Sequence, residues 1–194
     1  MNKILLNAAL ATSFFAPVAA NAQAIPAAIV AVTDLDRVTS ECNACKTASA
    51  ALRSQATTIQ AREKALADPL AAEQKSIQAA IDALQGKAPD AALEARAKAW
   101  QTRQQQAAAE LQRSQTQLQR NQQYIQQQLA QKLGPIYQQI MQRRGANLMV
   151  ETGTTLATAN ALDVTNDVLA ALNAALPTLA TVAPAQTQAT PQSR

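Results

Sequence analysis

The stretch Gly86-Lys87-Ala88-Pro89-Asp90 decides the fold, because it is the one strong turn signal inside a long run of helical spacing. Before it, apolar and small residues recur at three- and four-residue steps from about residue 35. After it, the same spacing runs from Leu93 through Trp100 to Ile125. Two seams of similar length around one turn predict an antiparallel coiled-coil hairpin. Helices of about 50 residues, rising about 1.5 Å per residue, would make an arm of about 70 Å.

Two prolines interrupt this spacing. Asp68-Pro69 lies inside the first seam, and Gly134-Pro135 lies near the end of the second. Because proline lacks a backbone N–H and clashes with the preceding turn, the sequence predicts a kink or a break at each. Glutamine accounts for 17 of the residues from Gln101 to Gln142, and the retained apolar spacing favours helix there. Such a surface either touches many partners weakly or merely keeps a long helix in solution.

The composition favours long helices over a thick globular core. The 194 residues are 48% apolar but only 3% aromatic, and most of the apolar fraction is Ala. Alanine adds little buried area, which argues against a sandwich, a barrel or a doubly wound sheet. The chain has no His, the commonest general base and metal ligand. It also lacks a phosphate-binding loop and a nucleophile motif, so we expect no enzymatic activity, no cofactor and no metal.

The segments that flank the hairpin carry β signals. Ala28–Val32 is rich in β-branched residues and predicts one buried strand. Residues 147–151 predict a second strand, and Gly153 is placed to turn the chain into another strand at 155–159. These short strands predict a small body at the base of the arm.

A short helix completes this body. Asp163 and Thr165 are both suitable N-caps for a helix that runs to about Ala175, and Pro177 stops it. The predicted fold class is α+β, mostly α: a long antiparallel coiled-coil hairpin on a small β-containing oligomerisation body. The predicted parts are a signal peptide (1–22), the body (23–35 and 145–176), the arm (36–144, with its turn near 86–90) and a disordered tail (177–194).

The first residues carry an export signal. Lys3 precedes an apolar run from Ile4 to Ala16, and Ala20-Asn21-Ala22 has the form of a cleavage site. The run is shorter than the about 20 apolar residues that a membrane span needs. We expect cleavage after Ala22 and an exported mature protein, with an uncleaved membrane anchor as the alternative.

The returning half of the hairpin is basic. From Asp90 to Arg144 there are eight basic and three acidic residues. A positive arm attracts acidic polypeptide and makes weak contact with an anionic membrane or lipid. The alternative is a solvated helix face with incidental charge. The wide spacing of the basic residues and the scarcity of aromatic residues argue against nucleic acid as a partner.

Two further features admit more than one interpretation. Cys42 and Cys45 form a CxxC pair, but the βαβ setting of a redox motif is absent. A local disulfide or a pair of buried thiols is favoured, and an inter-subunit bridge, redox activity and an incomplete zinc site are the alternatives. Trp100, the single Trp, either packs between the helices or offers an apolar contact to a partner.

Three stretches taken in order resemble the Skp/OmpH family of periplasmic chaperones. They are IVAVT at 29–33, GANLMVE at 145–151 and DVTNDVL at 163–169, similar to the family's first strand, its Gly-led second strand and the opening of its last helix. Gly134-Pro135-Ile136 also resembles a family feature at the end of the returning arm. The CxxC pair, the high Gln and Ala content and the tail after Pro177 depart from the pattern.

The resemblance implies a homotrimer in the periplasm, whose three arms hold unfolded outer-membrane proteins between them without ATP and prevent their aggregation. The alternatives are a structural coiled-coil envelope or adaptor protein without chaperone activity, and a thiol oxidoreductase that depends on the Cys pair. One chain offers little apolar area for a self-sufficient body, which also predicts an oligomer. The candidate client-binding residues on the arm are Leu66, Leu70, Ile77, Leu84, Leu93, Trp100, Lys75, Lys87, Arg96, Lys98, Arg103 and Arg113.

Overall fold

The computed structural model describes residues 25–185; the predicted signal peptide and residues 186–194 of the predicted tail lie outside that range. The described chain is mostly helical, with one pair of strands. Its elements in order are β1 (Val30–Thr33), α1 (Leu35–Glu41), α2 (Asn43–Ala83), α3 (Ala91–Arg144), β2 (Leu148–Glu151), the 3-10 turns Thr152–Thr154 and Asn160–Leu162, and α4 (Thr165–Ala175).

Helices α2 and α3 form the hairpin that the seams predict. They are 41 and 54 residues long and pack against each other along the arm. The chain reverses between them with Gln85 and Gly86 in the left-handed region, at φ values of 49° and 88°. Asp90 then caps α3, because its Oδ1 accepts a hydrogen bond of 2.8 Å from the Leu93 N–H. None of the described helices is both long and apolar enough to cross a membrane.

Both interior prolines lie within continuous helix, so the prediction of a break is wrong. Helix α2 runs through Pro69, and α3 runs through Pro135. Each proline lies on an exposed face, where water can bond the carbonyl group that lacks its N–H partner. The apolar residues next to each proline still pack: Leu66 and Leu70 around the first are half-buried, and Leu133 and Ile136 around the second are buried. Interhelical packing therefore carries the helix through each proline.

The body is built around two parallel strands. β1 pairs with β2 in a register that places Val30 opposite Leu148 and Thr33 opposite Glu151. The further strand predicted at 155–159 does not form, and the 3-10 turns lie on either side of it. The reason is local, because the hydroxyls of Thr154 and Thr155 each donate a hydrogen bond of 2.8 Å to a backbone carbonyl three residues earlier.

The segment that opens α4 ties the body together. The Val164 N–H donates to the Val32 carbonyl at 2.8 Å, which adds a short bridge beside β1. The buried Thr165 hydroxyl accepts from the Asp34 N–H at 2.9 Å, and Asp163 Oδ1 accepts from the Thr165 N–H at 2.8 Å. These bonds hold β1, the start of α1 and the start of α4 in one arrangement.

The apolar core lies where the arm meets the body. It joins β1, α1, the first turns of α2, the last turns of α3 and α4. Val38, Ile140, Val168 and Leu172 have no exposed surface. Its buried members are Ala31, Val38, Cys42, Ala44, Cys45, Leu133, Ile136, Ile140, Val164, Val168, Leu172 and Leu176.

The first part of the tail differs from the disordered segment that composition predicts. Residues 177–185 form neither helix nor strand, yet they lie against the arm. Leu179 packs on the core, and the backbone of Ala180, Thr181 and Ala183 is hydrogen-bonded to side chains of α2 and α3. The expectation of disorder overlooked the amide side chains that the arm supplies to this segment.

Candidate functional site

The apolar candidates on the arm lie mainly between its two helices. Ile77 is 7% exposed. The other five, namely Leu66, Leu70, Leu84, Leu93 and Trp100, are half-buried. Each half-buried side chain therefore has a portion that packs in the hairpin and a portion that faces solvent. The arm thus presents narrow apolar stripes rather than a broad apolar face.

Trp100 is a packing residue of the hairpin. Its indole Nε1–H donates a hydrogen bond of 2.9 Å to the Leu70 carbonyl on the facing helix. A buried or half-buried indole needs such a partner, because its N–H is otherwise lost from water without replacement. The ring therefore links α2 to α3, and this geometry favours packing over a contact held free for a partner.

The basic candidates divide into paired and unpaired groups. Arg96 and Arg103 both approach Glu73 across the hairpin, at 3.7 and 2.5 Å. Within residues 25–185, the four others have no carboxylate within 4.0 Å and are exposed; they are Lys75, Lys87, Lys98 and Arg113. These four charges are available to an acidic partner, whereas the two arginines also hold the helices in register.

One ion pair on the arm escaped the sequence analysis. Arg62 Nε and Nη2 bond the two oxygens of Glu110 at 2.6 and 3.2 Å across the hairpin. The hydrogen bond from Arg62 lowers the pKa of Glu110, and the same bond raises the pKa of Arg62. The periodicity could not have identified this pair, because both side chains lie outside the apolar seam.

A small cleft opens beside Pro69 between the two helices. It has a volume of about 220 Å³. Leu66, Leu70 and Ala107 form its apolar wall. Glu73, Arg103 and Glu110 form its charged rim. This cleft is the place where the arm exposes apolar surface and charge side by side, a combination suited to weak contact with an unfolded chain.

The two cysteines are joined as a disulfide at the junction of α1 and α2. Cys42 has no exposed surface and Cys45 is 5% exposed. The Cys45 N–H also lies 3.2 Å from Cys42 Sγ, which places Cys42 as the cap of α2. Because a thiol–disulfide exchange partner needs access to a sulfur, this buried geometry favours a structural bond over a redox centre.

Several large apolar side chains of the body remain exposed. Leu156 is fully exposed, Ile29 is 55% exposed and Leu148 is 45% exposed. Among the described residues, β1 is the only strand that pairs with β2. The second edge of β2 therefore lacks a strand partner within this part of the chain.

The chain thus combines a basic, amide-rich hairpin with a small body that contains two parallel strands. The model of the family described as "Outer membrane protein (OmpH-like)" matches residues 29–172. The chain belongs to the OmpH-like family. The match begins beside β1 and ends within α4, so it covers the arm and both parts of the body.

A solved structure has the same fold. A protein from Caulobacter crescentus, described as a "putative outer membrane chaperone (OmpH-like)", superposes with a TM-score of 0.68 at 21% sequence identity. The match covers 85% of this chain and 95% of that one. No curated protein matches the sequence significantly. The predicted mostly helical fold, with long helices and a small β part, is confirmed.

Proposed function

We propose that this protein is an ATP-independent periplasmic chaperone that binds unfolded outer-membrane proteins through its helical arms and prevents their aggregation. The observation that carries the proposal is the match of the OmpH-like family model to both the arm and the body. The structural neighbour from Caulobacter, described as an outer membrane chaperone, supports the same role.

The arm has the chemistry that such binding needs. Four exposed basic residues and the half-buried leucines offer many weak, replaceable contacts along one long surface. The basic charge attracts acidic clients, and many weak contacts together retain a long unfolded chain. Because each contact is replaceable, a client leaves when it folds or meets a better partner, and no nucleotide is needed.

A homotrimer is the assembly that we propose for the active protein. The exposed Ile29, Leu148 and Leu156 and the unpaired edge of β2 lie on the body, where copies can associate. Three bodies brought together would cover this apolar surface and place three arms around one cavity. Sedimentation equilibrium should give three times the mass of the mature chain, and Leu148→Asp should reduce it toward one. A monomeric wild-type protein would contradict the assembly.

The test of function is suppression of client aggregation. A urea-denatured, acidic outer-membrane β-barrel protein is diluted into buffer, and light scattering is followed with and without this protein. We expect scattering to fall to near zero at about one trimer per client. Unchanged scattering would contradict the chaperone function and leave the structural coiled-coil or adaptor protein as the better account.

A pair of matched charge variants tests the role of the arm. Lys75→Glu with Lys98→Glu reverses two exposed charges toward the tip of the arm. Lys46→Glu with Lys132→Glu makes the same change in net charge at its base. The first variant should need several-fold more protein for the same suppression, and the second should resemble wild type. Equal effects would show that net charge, rather than the distal arm, governs client capture.

A further inference from the structure

The segment after α4 occupies a groove between the two helices of the arm. We call this the tail groove and define it by the amide side chains of Gln55, Asn121 and Gln128. Leu179 packs on the core, and the following residues rise away from the body along α2 and α3. Val182, which is 63% exposed, lies over a shallow cavity of about 410 Å³ bounded by Ile59 and Leu118 among others.

The amides of the tail groove bond the backbone of the tail rather than its side chains. Gln128 makes both bonds with Ala180: its Nε2 donates to the carbonyl at 2.9 Å, and its Oε1 accepts from the N–H at 3.0 Å. Gln55 Nε2 donates to the Thr181 carbonyl at 3.2 Å. Asn121 Oδ1 accepts from the Ala183 N–H at 2.8 Å. All four bonds end on groups that every non-proline residue possesses, so the identity of the bound sequence matters little.

The spacing of the amides along α3 can be compared with the length of tail that they hold. Asn121 and Gln128 lie seven residues apart, and they bond Ala183 and Ala180, which lie three residues apart. Seven helical residues rise about 10.5 Å, and three extended residues span about 10 Å. The rise of α3 between these two amides is therefore close to the greatest length that the tail can span between Ala183 and Ala180.

Two of the three amides are also held by hydrogen bonds within the arm itself. Asn121 is only 3% exposed, although it is polar. Its Nδ2 donates to Gln55 Oε1, and its Oδ1 accepts from Gln117 Nε2, each at 2.8 Å. Gln55 and Asn121 are thereby fixed by each other, with the Gln55 Nε2 and one lone pair of Asn121 directed to the tail. A prearranged site loses little side-chain entropy when a chain binds.

We propose that the tail groove is a sequence-independent binding site for the extended backbone of an unfolded client, and that the chain's own tail occupies it until a client displaces it. The proposal rests on the proposed chaperone function. The occupant is argued from the tail itself, which forms neither helix nor strand, so its backbone groups are not paired by secondary structure, and whose bonded residues Ala180, Thr181 and Ala183 have small or β-branched side chains. An unfolded β-barrel protein offers the same chemistry.

Displacement is feasible because the tail is held near the surface. Ala180 is exposed, while Thr181 and Ala183 are half-buried. Four hydrogen bonds at such a surface can be exchanged for those of another chain without opening the core. Because the tail is tethered beside the groove, it competes as though at roughly millimolar concentration. Only a long client, which also contacts the rest of the arm, would outcompete it efficiently.

The first experiment measures peptide binding. The probe is a fluorescent peptide with the sequence of residues 177–185, titrated into the full mature chain. Ala180→Pro with Ala183→Pro removes the two tail N–H donors and frees the groove, whereas Ala185→Pro is the matched control. We expect the double variant to bind the peptide at least tenfold more tightly than wild type or the control. Equal binding by all three, or binding by none, would overturn the proposal.

Further variants and modified peptides, used in the same titration, test whether the groove recognises backbone groups. Gln128→Ala in the double variant should abolish the gain, and the neighbouring, exposed Gln127→Ala should leave it intact. A scrambled peptide should bind within about threefold of the original, whereas N-methylation at the positions of Ala180 and Ala183 should abolish binding. If only the original peptide binds, the groove is specific for the chain's own tail, and sequence-independent binding of clients is overturned.

The second experiment uses the unmodified protein. Hydrogen exchange of the Ala180 and Ala183 amides is measured with and without a urea-diluted outer-membrane barrel client. Exchange at both amides should accelerate at least tenfold when the client binds, and unchanged exchange in a client-bound protein would overturn the proposal. Light scattering is recorded on the same samples. If aggregation is suppressed but exchange at the tail amides does not change, this inference is wrong and the chaperone function is still supported. If aggregation is not suppressed, the proposed chaperone function itself is contradicted.

Discussion

The body and the distal arm differ in how they use apolar residues. Around the body, Val38, Ile140 and Leu172 are fully buried in one cluster. Between residues 49 and 120, by contrast, Ile77 and Ala107 are the only buried side chains. A chain of this composition therefore concentrates its stability at one end. The arm is left thin, half-exposed and held by ion pairs and single side chains, which suits a surface that must adapt to many partners.

Removal of a core side chain should give the largest change in the free energy of unfolding. Leu172→Ala should cost about 3 kcal/mol of unfolding free energy, because it opens a cavity in the fully buried cluster. Leu66→Ala, at a half-buried position of the arm, should cost about 1 kcal/mol. Urea unfolding followed by circular dichroism measures both. Equal losses would mean that the arm contributes as much packing as the body.

The disulfide gives the next largest effect. Replacing Cys42 and Cys45 together by Ala should cost about 2 kcal/mol, the value expected for a very short closed loop. Reduction of the wild-type protein should produce a loss of similar size in the same urea titration. Suppression of client aggregation should persist, because the bond lies at the base of the arm, far from the client-binding candidates near its tip. Abolished suppression with an unchanged oligomer mass would instead favour the redox alternative.

The loss of folding stability at acid pH should also arise from a group in the body, Asp163. The hydrogen bonds from the Thr165 hydroxyl and N–H hold the pKa of Asp163 below its usual range, and the charge of Arg37 adds to them. Because the unfolded chain then binds the proton more readily, Asp163 contributes stability above the ordinary pKa of about 4 and loses it as pH falls through the lower folded value. Thr165→Val should raise the pKa of Asp163 measured by NMR. An unchanged pKa would exclude the Thr165 hydroxyl as a cause.

The smallest effect is expected at the exposed ion pair of the arm. Glu110→Gln removes the charge that pairs with Arg62, but both side chains remain in contact with water. Surface pairs of this kind are screened by salt and contribute little. The urea midpoint should be unchanged at physiological salt and should fall slightly at low salt. A large loss at physiological salt would show that the arm depends on this pair for its pairing register.

The sequence was most informative where one physical rule acts alone. The apolar seams predicted the two long helices, and the left-handed Gly86 lies in the turn between them. The break predicted as one alternative at Pro69 and Pro135 does not occur, because the packing of the neighbouring apolar residues offsets the cost of a missing hydrogen bond, and a kink at each proline stays a prediction. The strand predicted at 155–159 failed because threonine hydroxyls bonded the local backbone instead.

The candidate site was predicted less well than the fold. Leucine positions on the seam were identified correctly as lying on the arm, but their half-buried state depends on the partner helix. The Arg62–Glu110 pair joins residues 48 positions apart along the chain, and the contacts of the tail with the tail groove join residues 52 or more positions apart. Spacing along one helix carries no information on such contacts. The polar residues Asn121 and Gln128 were hidden among the many glutamines of α3.

The parallel pairing of β1 with β2 has a consequence for the order of folding. Ile29 and Asn147, which are hydrogen-bonded at the edge of this pair, are 118 residues apart. Closing so long a loop from a disordered chain is slow and entropically costly. The hairpin removes most of that cost, because zipping α2 against α3 from the turn at Gly86 brings the two strands together. The arm therefore acts as the folding template of the body, and we expect the body to close only after the whole arm has been synthesised.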